Sequence, residues 1–328
     1  MSPAIGHLWF DPGFGASGDM VLGAMLGLGV DEVQLNVLLD ALPIEGLGIH
    51  QSVTARGSLS ATKAHVDVPP GDHSHRSWTE IDAIIAAADL PAAAKAGARS
   101  TFRSLGTVEA EIHGTSIDQV HFHEVGAHDA IADIVGSWIA WHLLGEPSVS
   151  VGPFGLGGGT TRSAHGIIPL PAPAVVGLLV GWQTRPLEIT GETVTPTGAA
   201  ILTSMASIQA ASAPEGTITG SARGAGGRDP DTHPNVLTVI ASTADMATPG
   251  VGTTATEMVE LATNLDDVTP EVLAYVVDRC LTGTVGVGVA DLVTKGATHI
   301  GVGGIDSETE AFQRFFRPHD ESREYRAW

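Results

Sequence analysis

A chain of 328 residues with a formal net charge of -21 is long enough for two domains and too acidic to seek the phosphates of nucleic acid or an anionic membrane surface. Its hydrophobic content of 43% includes only 5% aromatics, and no apolar run approaches the roughly 18–20 residues of a spanning helix. Cys280 is the only cysteine, which excludes an internal disulfide and an all-thiolate metal centre, and the start MSPAIGHLWFDPG lacks a signal-peptide pattern, so a reduced, cytoplasmic setting is expected.

His7 to Asp11 reads as a short strand, followed by the glycine-rich turn Gly13 to Gly18 and a helix over Asp19 to Leu28 that Gly29 ends. A second helix is predicted over Val30 to Leu42, stopped by Pro43. Ile49 to Val68 alternates in two stretches separated by Arg56 and Gly57, the pattern of a hairpin. Beyond the polar loop Gly71 to Ser77, Ser77 or Thr79 caps a helix running to Asp89, and a longer helix spans Ala92 to His113. Val120 to Val125 reads as a strand and His128 to Leu144 as a helix stopped by Gly145. Pro169, Pro171 and Pro173 delay the next helix to Ala174 to Val180, and Thr195 with Pro196 opens another that runs to Met205. Val236 to Ile240 is a strand, Ser242 to Thr256 has the composition of a linker, and Glu257 to Asn264 with Pro270 to Leu281 reads as a strand and helix opening a second unit. The expected fold is α/β or α+β: a glycine-rich mixed region over 1–245, a linker over 246–256 and a small, incomplete α+β unit over 257–328.

The richest chemistry lies in the run His121-Phe122-His123-Glu124-Val125-Gly126-Ala127-His128-Asp129-Ala130-Ile131-Ala132-Asp133. On an extended segment His121 and His123 share a face, and two imidazoles can bind a borderline divalent ion such as nickel, zinc or copper. Asp129 and Asp133, four apart on the following helix, form a carboxylate pair beside them; the bland alternative is backbone hydrogen bonding and a favourable charge at a helix start. Asp72-His73-Ser74-His75 offers a second pair of histidines in a loop, or a solvated turn. Gly13-Phe14-Gly15-Ala16-Ser17-Gly18 matches G-x-G-x-x-G after a strand and before a helix, the context of a phosphate cradle or of a tight turn with no ligand. Asp266 and Asp267 suit a hard cation such as magnesium or manganese, or cap a helix before Pro270. No nucleophile elbow, H-E-x-x-H motif or P-loop lysine occurs.

The strings FDPGFGASGDM (10–20), VHFHEVGAHDAIADIVG (120–136), AHGIIPLPAPA (164–174), ETVTPTGAAIL (192–202), GAGGRDPDTHPNVL (224–237) and TNLDDVTPE (263–271) stand in an order that resembles the LarC family of nickel-insertion proteins, over residues 7 to about 281. The resemblance implies a nickel chelatase that inserts Ni²⁺ into pyridinium-3,5-bisthiocarboxylic acid mononucleotide, with CTP and Mg²⁺ or Mn²⁺, to make the nickel-pincer nucleotide of lactate racemase-type enzymes. Carried onto this chain, it implies nickel handling by His73, His75, His121, His123 and Glu124, with Asp129 and Asp133 nearby; Asp11, Ser17 and Asp19 match the first motif, and with Asp266 and Asp267 mark a second metal or nucleotide position. Gly13 and Phe14 depart from the family, which has a bulky residue and a serine there. Its members oligomerise through a C-terminal domain that carries CTP binding, so a homo-oligomer is expected where that domain is complete.

After Leu281 the resemblance breaks off, leaving Lys295-Gly296 as a remnant. The tail is then a divergent second domain or a reading of the same message in another frame, and the abruptness of the break favours the second, with a separate C-terminal product as partner. The rival functions are a non-catalytic nickel store or metallochaperone and a zinc or manganese hydrolase.

Overall fold

The computed structural model describes residues 5–68, 76–120, 122, 128–163, 166–213, 216–230 and 233–243, and the backbone of three further strands at 258–263, 298–303 and 326–327. The chain divides into two compact units, Met1–Ala247 and Thr248–Trp328. The first runs β1 (His7–Asp11), α1 (Gly18–Gly27), α2 (Glu32–Leu39), β2 (Gly48–Arg56), β3 (Leu59–Asp67), α3 (Trp78–Ala87), α4 (Ala92–His113), α5 (His128–Leu143), β4 (Ser148–Val151), β5 (Phe154–Ser163), β6 (Gly166–Leu170), α6 (Pro173–Leu178), β7 (Thr184–Thr190), α7 (Pro196–Met205), β8 (Ile208–Gln209), β9 (Ile218–Ala225) and β10 (Val236–Ser242).

These elements form the mixed α/β fold expected. Seven strands make one sheet of order β2-β3-β9-β10-β1-β4-β8 and three make another of order β6-β5-β7. In the large sheet β1 runs antiparallel to β10 and parallel to β4. Leu8, Trp9 and Phe10 are buried on both faces of β1, as a central strand requires. His7 is also buried; its ring nitrogens meet Ser148 Oγ at 2.8 Å and Ser150 Oγ at 2.7 Å on the parallel neighbour. Beside the sheet, α1 is apolar nearly all round, and Met20 to Leu26 are all buried. It packs on β3, β9, α5 and α7 and forms the centre of the unit.

Local signals place the helix ends. Ser77 and Glu80 form a reciprocal capping box at α3, and α4 stops at Gly114 in the left-handed conformation. Thr195 accepts the Gly198 amide at the start of α7, with Pro196 in the first turn. Two expectations change. The second helix is shorter than Val30 to Leu42, because the Asp31 side chain accepts the amides of Val33 and Gln34 and starts the helix at Glu32, while the chain beyond Leu39 turns back on short-range bonds such as Leu42 N to Leu39 O. No strand forms over the described residues of Val120 to Val125. Val120 follows a 3₁₀ turn at Ile117–Gln119, its carbonyl takes the Trp78 amide at 3.2 Å, and Phe122 donates to Arg76 O at 3.1 Å.

In the second unit, β11 (Met258–Thr263) lies between β12 (Thr298–Gly303) and β13 (Arg326–Ala327), antiparallel to both. The helix expected over Pro270 to Leu281 and most of the expected linker lie outside the described residues.

Candidate functional site

The turn between β1 and α1 is where the family-like strings meet. Asp11 ends β1 and its Oδ1 accepts the Gly13 amide at 3.0 Å. Gly15 has φ +123°, and a Cβ there would overlap the Thr193 carbonyl, so both the conformation and the packing require glycine. Ala16 bridges Val194: its amide donates to Thr193 O, and its carbonyl takes the Thr195 amide, each at 2.9 Å. The Pro12 carbonyl accepts the amides of Gly15 and Gly155, each at 3.0 Å. The amides of Gly13, Gly15 and Ala16, which a phosphate cradle would use, are therefore engaged within the fold. Asp19 also stands in the first turn of α1, where its carboxylate would repel a phosphate. The geometry is that of a tight packing turn.

Ser17 caps α1 with its backbone alone; its hydroxyl bonds the Asp19 carboxylate instead. Asp19 also takes the ammonium of Lys63 from β3. Behind Asp19 lies Asp133, in the second turn of α5. Gly18 permits this approach, since a Cβ at that position would stand 2.5 Å from Asp133 Oδ2. The Asp19 amide donates to the Asp133 carboxylate, whose Oδ1 is buried without a hydrogen-bond partner. Burial first, then the charges of Asp19 and Asp129, push the Asp133 carboxyl well above the usual carboxylate range, against the opposing pull of Lys63 and the Asp19 amide.

Asp129, one turn earlier, is exposed and accepts the Ala130 amide at 2.9 Å. His128 is buried, with Nε2 2.7 Å from an Arg76 guanidinium nitrogen. A guanidinium only donates, so Nε2 is the acceptor and a neutral His128 carries its proton on Nδ1. On the outer side of the turn, Phe14 is 44% exposed; it stacks on His233 with centroids 6.3 Å apart, and the Arg185 guanidinium carbon lies 5.8 Å from its ring centre.

Of the residues expected to carry metal or nucleotide chemistry, Asp11, Ser17, Asp19, Asp129 and Asp133 are described, and Ser17, Asp19 and Asp133 come together. His73, His75, His121, His123, Glu124, Asp266 and Asp267 lie outside the described residues. Among the described residues no three His, Cys, Asp or Glu side chains form a metal-holding group. Sequence reasoning missed Lys63, Arg76 and Arg185. None has a spacing that links it to the acids or rings it serves, and only the scarcity of cations, 16 Lys and Arg against 37 Asp and Glu, marks them.

Fold and site define a mixed α/β protein whose glycine-rich turn packs a buried carboxyl beside charged neighbours. A family model described as "Nickel insertion protein" matches residues 8–296, beyond the break placed after Leu281. A protein of Nocardioides sp. named pyridinium-3,5-bisthiocarboxylic acid mononucleotide nickel insertion protein is 42% identical over 273 residues, 83% of this chain and 67% of its own length. A putative nickel insertion protein of Roseiflexus castenholzii is 40% identical over 273 residues, with the same coverage. A Desulfitobacterium hafniense protein with the same name as the Nocardioides one is 38% identical over 266 residues, 81% of this chain and 65% of its own. No solved structure matches. The chain belongs to the nickel insertion protein family.

Proposed function

We propose that this protein is a nickel chelatase that inserts Ni²⁺, as substrate, into pyridinium-3,5-bisthiocarboxylic acid mononucleotide. The observation that carries the reading is the match to the family over residues 8–296, with relatives named for this reaction. In the reading, neutral imidazoles of His73, His75, His121 and His123 with Glu124 take up the ion. Asp129, exposed in the first turn of the helix that follows HFHEVGA, offers a carboxylate to an approaching cation, with the buried Asp133 carboxyl one turn further on. The ion then moves to the thiocarboxylate sulfurs of the mononucleotide, which compete well for a borderline-soft metal. Phe14 and Arg185 offer an aromatic face and a cation for the ring and phosphate of such a substrate.

CTP with Mg²⁺ or Mn²⁺ drives the step, Asp266 and Asp267 belong to the second unit that serves it, and the product is the nickel-pincer nucleotide of a lactate racemase-type enzyme. The protein works in the cytoplasm; among the described residues no helix is long and apolar enough to cross a membrane. Residues 257–328 are read as a partial or divergent C-terminal domain whose complete form oligomerises.

The test combines the purified chain, the mononucleotide, NiCl₂ and CTP, and follows the mass of the mononucleotide. Appearance of the nickel adduct, dependent on protein and CTP, is expected. No adduct, under conditions where the Nocardioides relative makes it, would assign insertion to a longer polypeptide and leave this chain as a nickel-binding part.

A further inference from the structure

The β2–β3 hairpin carries a pair of histidines that the insertion reading does not use. His50 and His65 are directly opposed across the two antiparallel strands. Their rings stack with centroids 4.7 Å apart and planes 9° from parallel. Since β2 is the edge of the large sheet, the pair stands at the rim of the unit, with His50 about half exposed.

Each ring is held by one nitrogen. His50 Nδ1 lies 3.3 Å from Asp67 Oδ2. An ionised carboxylate only accepts, so Nδ1 carries the proton and a neutral His50 presents a bare lone pair at Nε2. This is the carboxylate–histidine arrangement that orients an imidazole toward a metal. His65 Nε2 lies 2.8 Å from Ser52 Oγ, which leaves Nδ1 as its second nitrogen. Burial, then the neighbouring His50 and Lys63, hold His65 below the usual histidine range, opposed by Asp67, and this favours the neutral ligand form. The ammonium of Lys63, two residues before His65 on the same face of the strand, is engaged by Asp19, which offsets its repulsion of a cation.

We propose that His50 and His65 form a divalent metal site that takes up a borderline transition ion through His50 Nε2 and His65 Nδ1. As stacked, the two in-plane lone pairs run parallel; chelation requires both rings to turn out of the stack until the two nitrogens converge at about 3.0–3.4 Å from one another, as two metal–nitrogen bonds of about 2.1 Å at tetrahedral or octahedral angles demand. Asp67 acts through His50, and water completes the coordination, since no third His, Cys, Asp or Glu among the described residues joins the pair. Such an open site exchanges its ion readily and suits capture and release. The inference stands on the hairpin alone and is independent of the insertion reaction.

The test uses the full chain labelled with ¹⁵N-histidine and titrated with NiCl₂. Ring signals of His50 and His65 are assigned by their loss in His50→Gln and His65→Gln. These two signals are expected to broaden together during the titration. By calorimetry, the double variant His50→Ala/His65→Ala should lack one class of nickel site, and Asp67→Asn should weaken that class about tenfold or more. Unchanged linewidths of both rings at nickel saturation, or an isotherm of the double variant identical to that of the unaltered chain, would overturn the proposal. The spectra of the unaltered chain decide the matter should the double variant not fold.

Discussion

Replacing Asp133 by Asn tests the electrostatics of the turn. Asp133 is buried between the start of α1 and the second turn of α5, and its carboxyl is raised well above the ordinary value of 3.8 by burial and by Asp19 and Asp129. Between the unfolded and folded values the folded state holds a proton that the unfolded chain has released. Stability therefore falls as pH rises through that window, by up to about 1.4 kcal/mol per pH unit for one group, and levels off above the folded value. Asparagine keeps an oxygen for the Asp19 amide and does not ionise, so this contribution to the slope vanishes in Asp133→Asn. Urea unfolding of both proteins from pH 4 to 8, without added metal, measures the difference. The variant is expected to gain stability relative to the parent as pH rises above the ordinary carboxylate value of 3.8. Parallel stability–pH curves would refute the reasoning, because they would mean that Asp133 binds protons alike in both states.

Gly18→Ala drives a methyl to 2.5 Å from Asp133 Oδ2 and should cost about 1–3 kcal/mol, read as a lowered denaturation midpoint; an unchanged midpoint would mean that the two helices separate freely. Lys63→Met leaves Asp19 part-buried beside Asp133 without its cation, and a loss of about 1–2 kcal/mol at neutral pH is expected in urea unfolding. Thr101→Val removes the acceptor of the buried Trp138 Nε1–H bond of 2.9 Å, at a cost of about 1–3 kcal/mol that shows in thermal melts; a neutral effect would mean that the indole finds another partner. If Phe14 and Arg185 receive the mononucleotide, Arg185→Ala should raise its KM and leave Ni²⁺ affinity unchanged in calorimetry, and a loss of nickel binding would contradict that role.

Much of the fold was legible along the chain because its signals are local. The helix over Ala92 to His113 needs only its own apolar spacing and Gly114, α7 needs Thr195 and Pro196, and the hairpin needs alternation broken at Arg56 and Gly57. Family membership was legible as well, since it rests on ordered strings rather than on any contact. Between Val30 and Val125 one helix was read too long and one strand was read that does not form over its described residues, because a side-chain cap at Asp31 and backbone bonds from Val120 and Phe122 to the residues around Ser77 outweighed apolar pattern.

Tertiary packing decided the chemical character of the residues. Asp129 and Asp133 are equivalent by spacing, yet one is exposed and the other buried, because the start of α1 packs against Asp133 at Gly18 while the Asp129 side chain faces solvent. Asp19 and Lys63, on α1 and β3, become an ion pair only when the hairpin docks on that helix. His50 and His65 become one stacked pair only through strand register. Sequence by itself determined which groups are present, the local elements that carry them and the family to which the chain belongs. Which of those groups are neutral, charged or paired was decided by the tertiary structure, since burial and proximity between residues far apart in sequence set the energy of a charge and no local pattern encodes them.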